Sequence, residues 1–174
     1  MAIMAAIPPH AARDPIAMPD QHALLVLEHF LPYRLSVLSN RISQAIADTY
    51  AARFGIGITE WRVIAVLGRN PGLSANGVAE RTAMDKVAVS RTIARLLERD
   101  LVQRDTHGDD RRRSVLELSE AGYRIYDEVV PLALARERAL LAHFSAEEKQ
   151  QLDALMTKLG LGLQDMIGIG GEED

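Results

Sequence analysis

Hydrophobic positions in this chain recur mostly at three- and four-residue spacing, and only one stretch breaks into alternation. From Pro32, a residue suited to a first helical turn, Leu35, Leu38, Ile42, Ala45, Ile46, Thr49 and Tyr50 form a stripe that predicts a helix, closed by Gly55 and Gly57. The apolar segment Ala23 to Phe30 ahead of it predicts a short helix that packs against something, a partner subunit included. Thr59 is placed to cap a second helix over Glu60 to Arg69, with Trp61, Ile64, Ala65 and Leu67 facing inward. Asn70-Pro71-Gly72 then breaks the chain. Ser74 caps a short third helix ending near Thr82. After the tight connection Ala83-Met84, Asp85 caps a fourth helix to about Arg99, whose inner face is Val89, Ile93, Leu96 and Leu97.

At Leu101 the period changes. Leu101 to Asp105 and Ser114 to Leu118 alternate and are joined by the polar stretch Thr106 to Arg113, which predicts a β-hairpin with a charged tip. Ser119 caps the next helix, carrying Tyr123, Ile125, Val129, Leu132, Leu134 and Leu140, with a bend expected at Pro131. Ser145 and Glu148 form a capping box that opens a last helix to about Gln164. The fold class is mainly α with a small β-hairpin, and its centre is a helix–turn–helix followed by a wing.

Composition narrows the chemistry. The chain has no cysteine, which excludes disulfides, thiolate metal sites, cysteine nucleophiles and thiol redox sensing. No apolar run approaches the roughly 18–20 residues of a membrane span. The Ala- and Pro-rich start lacks the basic and long apolar regions of a signal peptide, so residues 1–22 are expected to be a flexible arm of a cytoplasmic protein. The net charge of −4 argues against bulk coating of nucleic acid, yet charge is unevenly distributed. Residues 81–113 hold nine basic and six acidic side chains, a net of +3, which leaves −7 for the remainder.

That positive segment coincides with the helix–turn–helix, whose second helix offers its N-terminal side chains to base edges. The residues off the apolar stripe are Lys86, Ser90, Arg91, Thr92 and Arg95. Arg91 and Arg95, four apart, share a face. Lys86 in the first turn can reach phosphate, while Asp85 is better placed as a cap than as a DNA contact. The tip arginines Arg111, Arg112 and Arg113 suit a minor groove.

From Gly57-Ile58-Thr59-Glu60-Trp61 through Asp85–Arg95 to the wing, the sequence resembles the MarR family of winged-helix regulators. The wing carries the most specific part: Asp110-Arg111-Arg112, then Leu116-Glu117-Leu118-Ser119 and Gly122. The resemblance spans about residues 32–165. It implies a homodimer with N- and C-terminal dimerisation helices (23–56 and 120–165) around a winged helix–turn–helix at 57–119, followed by a tail at 166–174. It further implies double-stranded DNA with a pseudo-palindromic operator as partner, and contacts from Ser90, Arg91 and Arg95. Asp110 would orient Arg112 at the wing. Many relatives are repressors released by a small aromatic or phenolic ligand, for which Arg34, Ser39, Trp61 and His107 are the candidate lining residues. No cofactor is implied.

An enzyme needs a catalytic set, and the five histidines are scattered, without a His-x-x-x-His pair, a Gly-rich phosphate loop or a Gly-x-Ser-x-Gly elbow, so no enzyme is expected. His22 and His29, seven residues apart, would with Asp20 or Glu28 offer zinc a site in a metal-sensing regulator; pH sensing is a related alternative. No metal site is assigned. A winged-helix protein-interaction module without an effector is the third reading.

Overall fold

The computed structural model describes residues 22–106 and 114–169. The chain divides into two compact units, Met1–Ser39 and Asn40–Asp174. In the first, the apolar segment forms only a 3-10 turn, Leu27–His29, rather than the expected short helix. Val26 has no side-chain oxygen to cap a helix, and Phe30 is extended, so the turn is not propagated. Leu24, Leu25, Leu27, Phe30 and Leu31 stand exposed. Helix α1 (Leu31–Ala47) starts here and continues into the second unit.

The second unit contains α2 (Ala51–Phe54), α3 (Ile58–Arg69), α4 (Ala75–Thr82), α5 (Lys86–Glu98), β1 (Val102–Thr106), β2 (Ser114–Leu118), α6 (Glu120–Leu140) and α7 (Ala146–Ile169). Gly55, in the left-handed conformation, ends α2. Helix α3 begins earlier than expected, with Gly57 rather than Thr59 at its cap, because the Glu60 carboxylate accepts the Gly57 N–H at 2.8 Å. Ser74 accepts the Gly77 N–H, and Asp85 accepts those of Val87 and Ala88, as their sequence positions lead one to expect. Between α4 and α5 the chain turns through Ala83, at φ 51°.

Strands β1 and β2 pair antiparallel with Val102 opposite Leu118. Leu73 adds a bridge to Leu116, its C=O accepting Leu116 N–H at 2.8 Å, so the wing is laced to the α3–α4 connection. The side chains that α3, α4, α5 and the hairpin turn inward, including Ile64, Leu67, Val78, Val89, Ile93, Leu96, Val102 and Leu116, form one core with Tyr50, Ile56 and Val129. Helix α6 runs through Pro131 to Leu140, and α7 extends to Ile169, beyond the expected end. Ser145 and Glu148 cap α7 reciprocally. No side chain described in α7 is buried, and Leu152, Leu155, Met156, Leu159, Leu163 and Met166 are all exposed.

Candidate nucleic-acid interface

Helix α5 is built to hold one face in the core and the other in solvent. Val89, Thr92, Ile93 and Leu96 are buried, while Lys86, Val87, Ser90, Arg91, Ala94 and Arg95 are exposed. At about 100° per residue the exposed set fills one half of the helix, with Lys86 and Arg95 at its two margins. Thr92 departs from expectation. It is 1% exposed and its hydroxyl donates to the Ala88 C=O at 2.8 Å, so it packs the helix onto the core and offers nothing to a ligand. A threonine is amphipathic enough to sit in either setting, which is why the hydrophobic pattern alone left it outside the stripe.

Three arginines of this unit are held by ion pairs. Arg53, Arg99 and Arg124 are salt-bridged to Glu128, Glu60 and Glu120. Arg99 also donates to the carbonyls of Gly55 at 2.9 Å and Phe54 at 3.1 Å, satisfying the C-terminal end of α2. Its charge, counted above with the basic segment, therefore works as a clamp between α5 and the α2–α3 corner. Lys86, Arg91 and Arg95 form no ion pair with any described residue. Three cations with no ion pair among the described residues thus lie on the exposed half of one helix. The other expected contacts, Arg111, Arg112 and Arg113 with Asp110, lie outside the described residues, as does His107.

The base of the wing is held by a compact hydrogen-bond knot. Ser119 Oγ donates to the Asp100 C=O at 2.6 Å and accepts the Gly122 N–H at 3.0 Å, while the Ser119 N–H donates to the Leu101 C=O. Asp100, at φ 53°, ends α5 in the left-handed conformation, and Leu101 N–H reaches back to the Leu96 C=O. A Cβ on Gly122 would lie 2.0 Å from the Leu101 oxygen. The Leu-Ser-x-x-Gly pattern is therefore a packing requirement that joins α5, the hairpin and α6.

A second feature is a cleft of about 150 Å³ lined by Ser43, Ile46, Tyr50, Ile58, Trp61 and Arg62. Arg62 donates to Ser43 Oγ at 3.1 Å, and the Tyr50 and Trp61 rings are 5.7 Å apart at their centroids. Of the expected ligand residues, Trp61 lines this cleft. Arg34 and Ser39 stand exposed on the first part of α1, where Leu35 and Leu38 are exposed as well. The sequence pattern does not place Ser43 and Arg62 here, and Tyr50 is expected only in the apolar stripe of the first helix; an arginine four residues after a helix-opening Ile58 was the available signal. Among the described residues, no group of three or more His, Cys, Asp or Glu is arranged to hold a metal, and Asp20 lies outside them.

Burial pushes the Tyr50 hydroxyl up to about 12, against a smaller opposing effect from the Arg62 charge. The folded chain thus keeps a proton that the unfolded chain releases between about pH 10 and 12, so stability is expected to fall as pH rises through that window. Tyr50→Phe should flatten this alkaline limb in urea unfolding monitored by circular dichroism. An unchanged limb would assign it to other groups.

The sequence profile of the MarR family matches residues 54–113. A MarR/EmrR family transcriptional regulator from Acinetobacter sp. ADP1 has a crystal structure similar to this chain over 77% of its length and 94% of that protein's, with a TM-score of 0.71 and 33% identity. The chain belongs to the MarR family. Its members are transcriptional regulators and not enzymes, and this chain is a DNA-binding regulator with the winged-helix fold of the family. The fold is shared with the Staphylococcus aureus MepR–DNA complex, at TM-score 0.68, 22% identity and coverage of 78% and 98%. The homoprotocatechuate degradative operon repressor of Escherichia coli is 24% identical over 66% of this chain and 78% of its own. Among the described residues, no helix is long and apolar enough to cross a membrane.

Proposed function

We propose that this MarR-family protein is a homodimeric repressor that reads a pseudo-palindromic operator with α5 and is released by a small aromatic acid. The observation that carries the DNA reading is the placement of charge on α5: Lys86, Arg91 and Arg95 share the solvent half of a helix whose other half is buried in the core, and none of them is ion-paired among the described residues. Ser90, Arg91 and Arg95 face base edges, and Lys86 meets phosphate. Arg111, Arg112 and Arg113, with Asp110 orienting Arg112, are assigned to the wing contacts from sequence alone. The exposed apolar side chains of α7 favour burial against a second copy, since a helix with this many exposed Leu and Met residues would otherwise be an association liability. Fluorescence anisotropy with the gene's own upstream DNA and a scrambled duplex, at two salt concentrations, tests the reading. Selective binding at two chains per site is the expected result; equal, weak and steeply salt-dependent binding to both duplexes would overturn it.

Support for the effector comes from the cleft. Its volume of about 150 Å³ suits a single aromatic ring. Tyr50 and Trp61 offer ring faces, and the Arg62 guanidinium can take a carboxylate in two parallel hydrogen bonds. Trp61 is the chain's single tryptophan, so its emission should report occupancy. Benzoate and hydroxybenzoates are expected to quench it saturably and to release DNA. Arg62→Gln should weaken carboxylate binding about 10- to 100-fold while leaving a neutral phenol unaffected. Aromatic acids that change neither emission nor DNA binding would remove this effector class.

A further inference from the structure

We infer that Val87 is a specificity-determining residue that reads a thymine through its 5-methyl group, an inference that rests on α5 being the reading helix. Between residues 40 and 122, Val87 is the only large hydrophobic side chain exposed among the described residues, at 56%. A lone exposed valine is ordinary on a protein surface, so its position has to carry the argument. Val87, whose backbone N–H donates to the Asp85 cap, lies in the first turn of α5, the part of a reading helix that approaches base edges most closely. On a helix turning about 100° per residue, Val87 and Ala94 sit at the middle of the exposed half, opposite the buried Val89, Ile93 and Leu96. Ser90 and Arg91, three and four residues on, flank it on the same surface.

Nothing local asks for valine here. Its side chain neither caps the helix nor joins the core, and β-branching lowers helix propensity. In a major groove the same side chain has a specific partner. Thymine's methyl is the only apolar group presented there, and a short branched side chain beside two hydrogen-bonding residues can cover it. Ser90 and Arg91 cannot distinguish thymine from uracil, whose hydrogen-bonding edges are identical; Val87 can.

That identity supplies the test. An operator is selected from random duplexes with the full-length protein, and each dT is then replaced in turn by dU, which removes one methyl and leaves every hydrogen bond. Wild type is expected to lose about fourfold in affinity at one thymine in each half-site, the effect of one buried carbon. Val87→Ala should show no uracil penalty at that position. Indifference of wild type to uracil throughout, or an equal penalty in Val87→Ala, would overturn the inference while leaving α5 as the reader. If Arg91→Ala/Arg95→Ala protein still selects the same operator, or no operator is enriched, the reading-helix assignment itself falls and Val87 with it.

Discussion

Gly122→Ala is expected to lower the unfolding midpoint by about 10 °C, a loss of roughly 3 kcal/mol. The reason is space. Gly122 lies inside α6, where alanine would ordinarily be favoured over glycine by about 1 kcal/mol. Here the new Cβ would stand 2.0 Å from the Leu101 carbonyl oxygen, and the obstacle is backbone. That oxygen already accepts the Ser119 N–H, and Leu101 N–H holds the end of α5, so relief would pull apart the corner where α5, the hairpin and α6 meet. Gly68 is the useful comparison. Its added Cβ would be 2.5 Å from the Tyr126 ring, a side chain that can turn aside, and Gly68→Ala should cost about 1 kcal/mol. Thermal unfolding followed by circular dichroism checks both. An unshifted midpoint for Gly122→Ala would mean the corner is looser than the structure describes.

Replacing Arg91 and Arg95 together by alanine should abolish operator selection while the protein remains as stable as wild type. Both side chains are exposed, and neither is paired with a described residue, so their removal leaves no buried group unsatisfied. A bidentate base contact contributes about 1–3 kcal/mol, and a two-fold dimer loses each contact twice, so affinity should fall at least about a hundredfold. Residual binding should be sequence-blind and less salt-dependent, since fewer counterions are released. Retained selectivity at normal affinity would move the reading surface away from α5. Arg99→Ala makes an instructive contrast, because Arg99 donates to Phe54, Gly55 and Glu60 rather than facing solvent with the reading residues. It should act on stability before it acts on DNA.

Most of the architecture was legible in the sequence because its determinants are local. Apolar periodicity placed the helices, and Ser74, Asp85, Ser119 and Ser145 marked their starts through side-chain oxygens that accept N–H groups two or three residues on. The switch to alternation placed the hairpin. The face of α5 that holds Ser90, Arg91 and Arg95 also followed, since a 3.6-residue period and a buried stripe leave one remaining side. The misplaced start of α3 and the unformed helix before Phe30 are end effects, where a single capping contact decides.

What only the tertiary structure decided are relations between residues far apart in the chain. Periodicity does not say that Thr92 is buried, that Arg99 spends its charge on a helix end over 40 positions away, or that Leu73 joins the wing. Nor does it gather Ser43, Tyr50, Trp61 and Arg62 around one cleft. A side chain's charge and size are written in the sequence; whether that charge meets a carboxylate, a carbonyl or water depends on which helix ends the packing brings together.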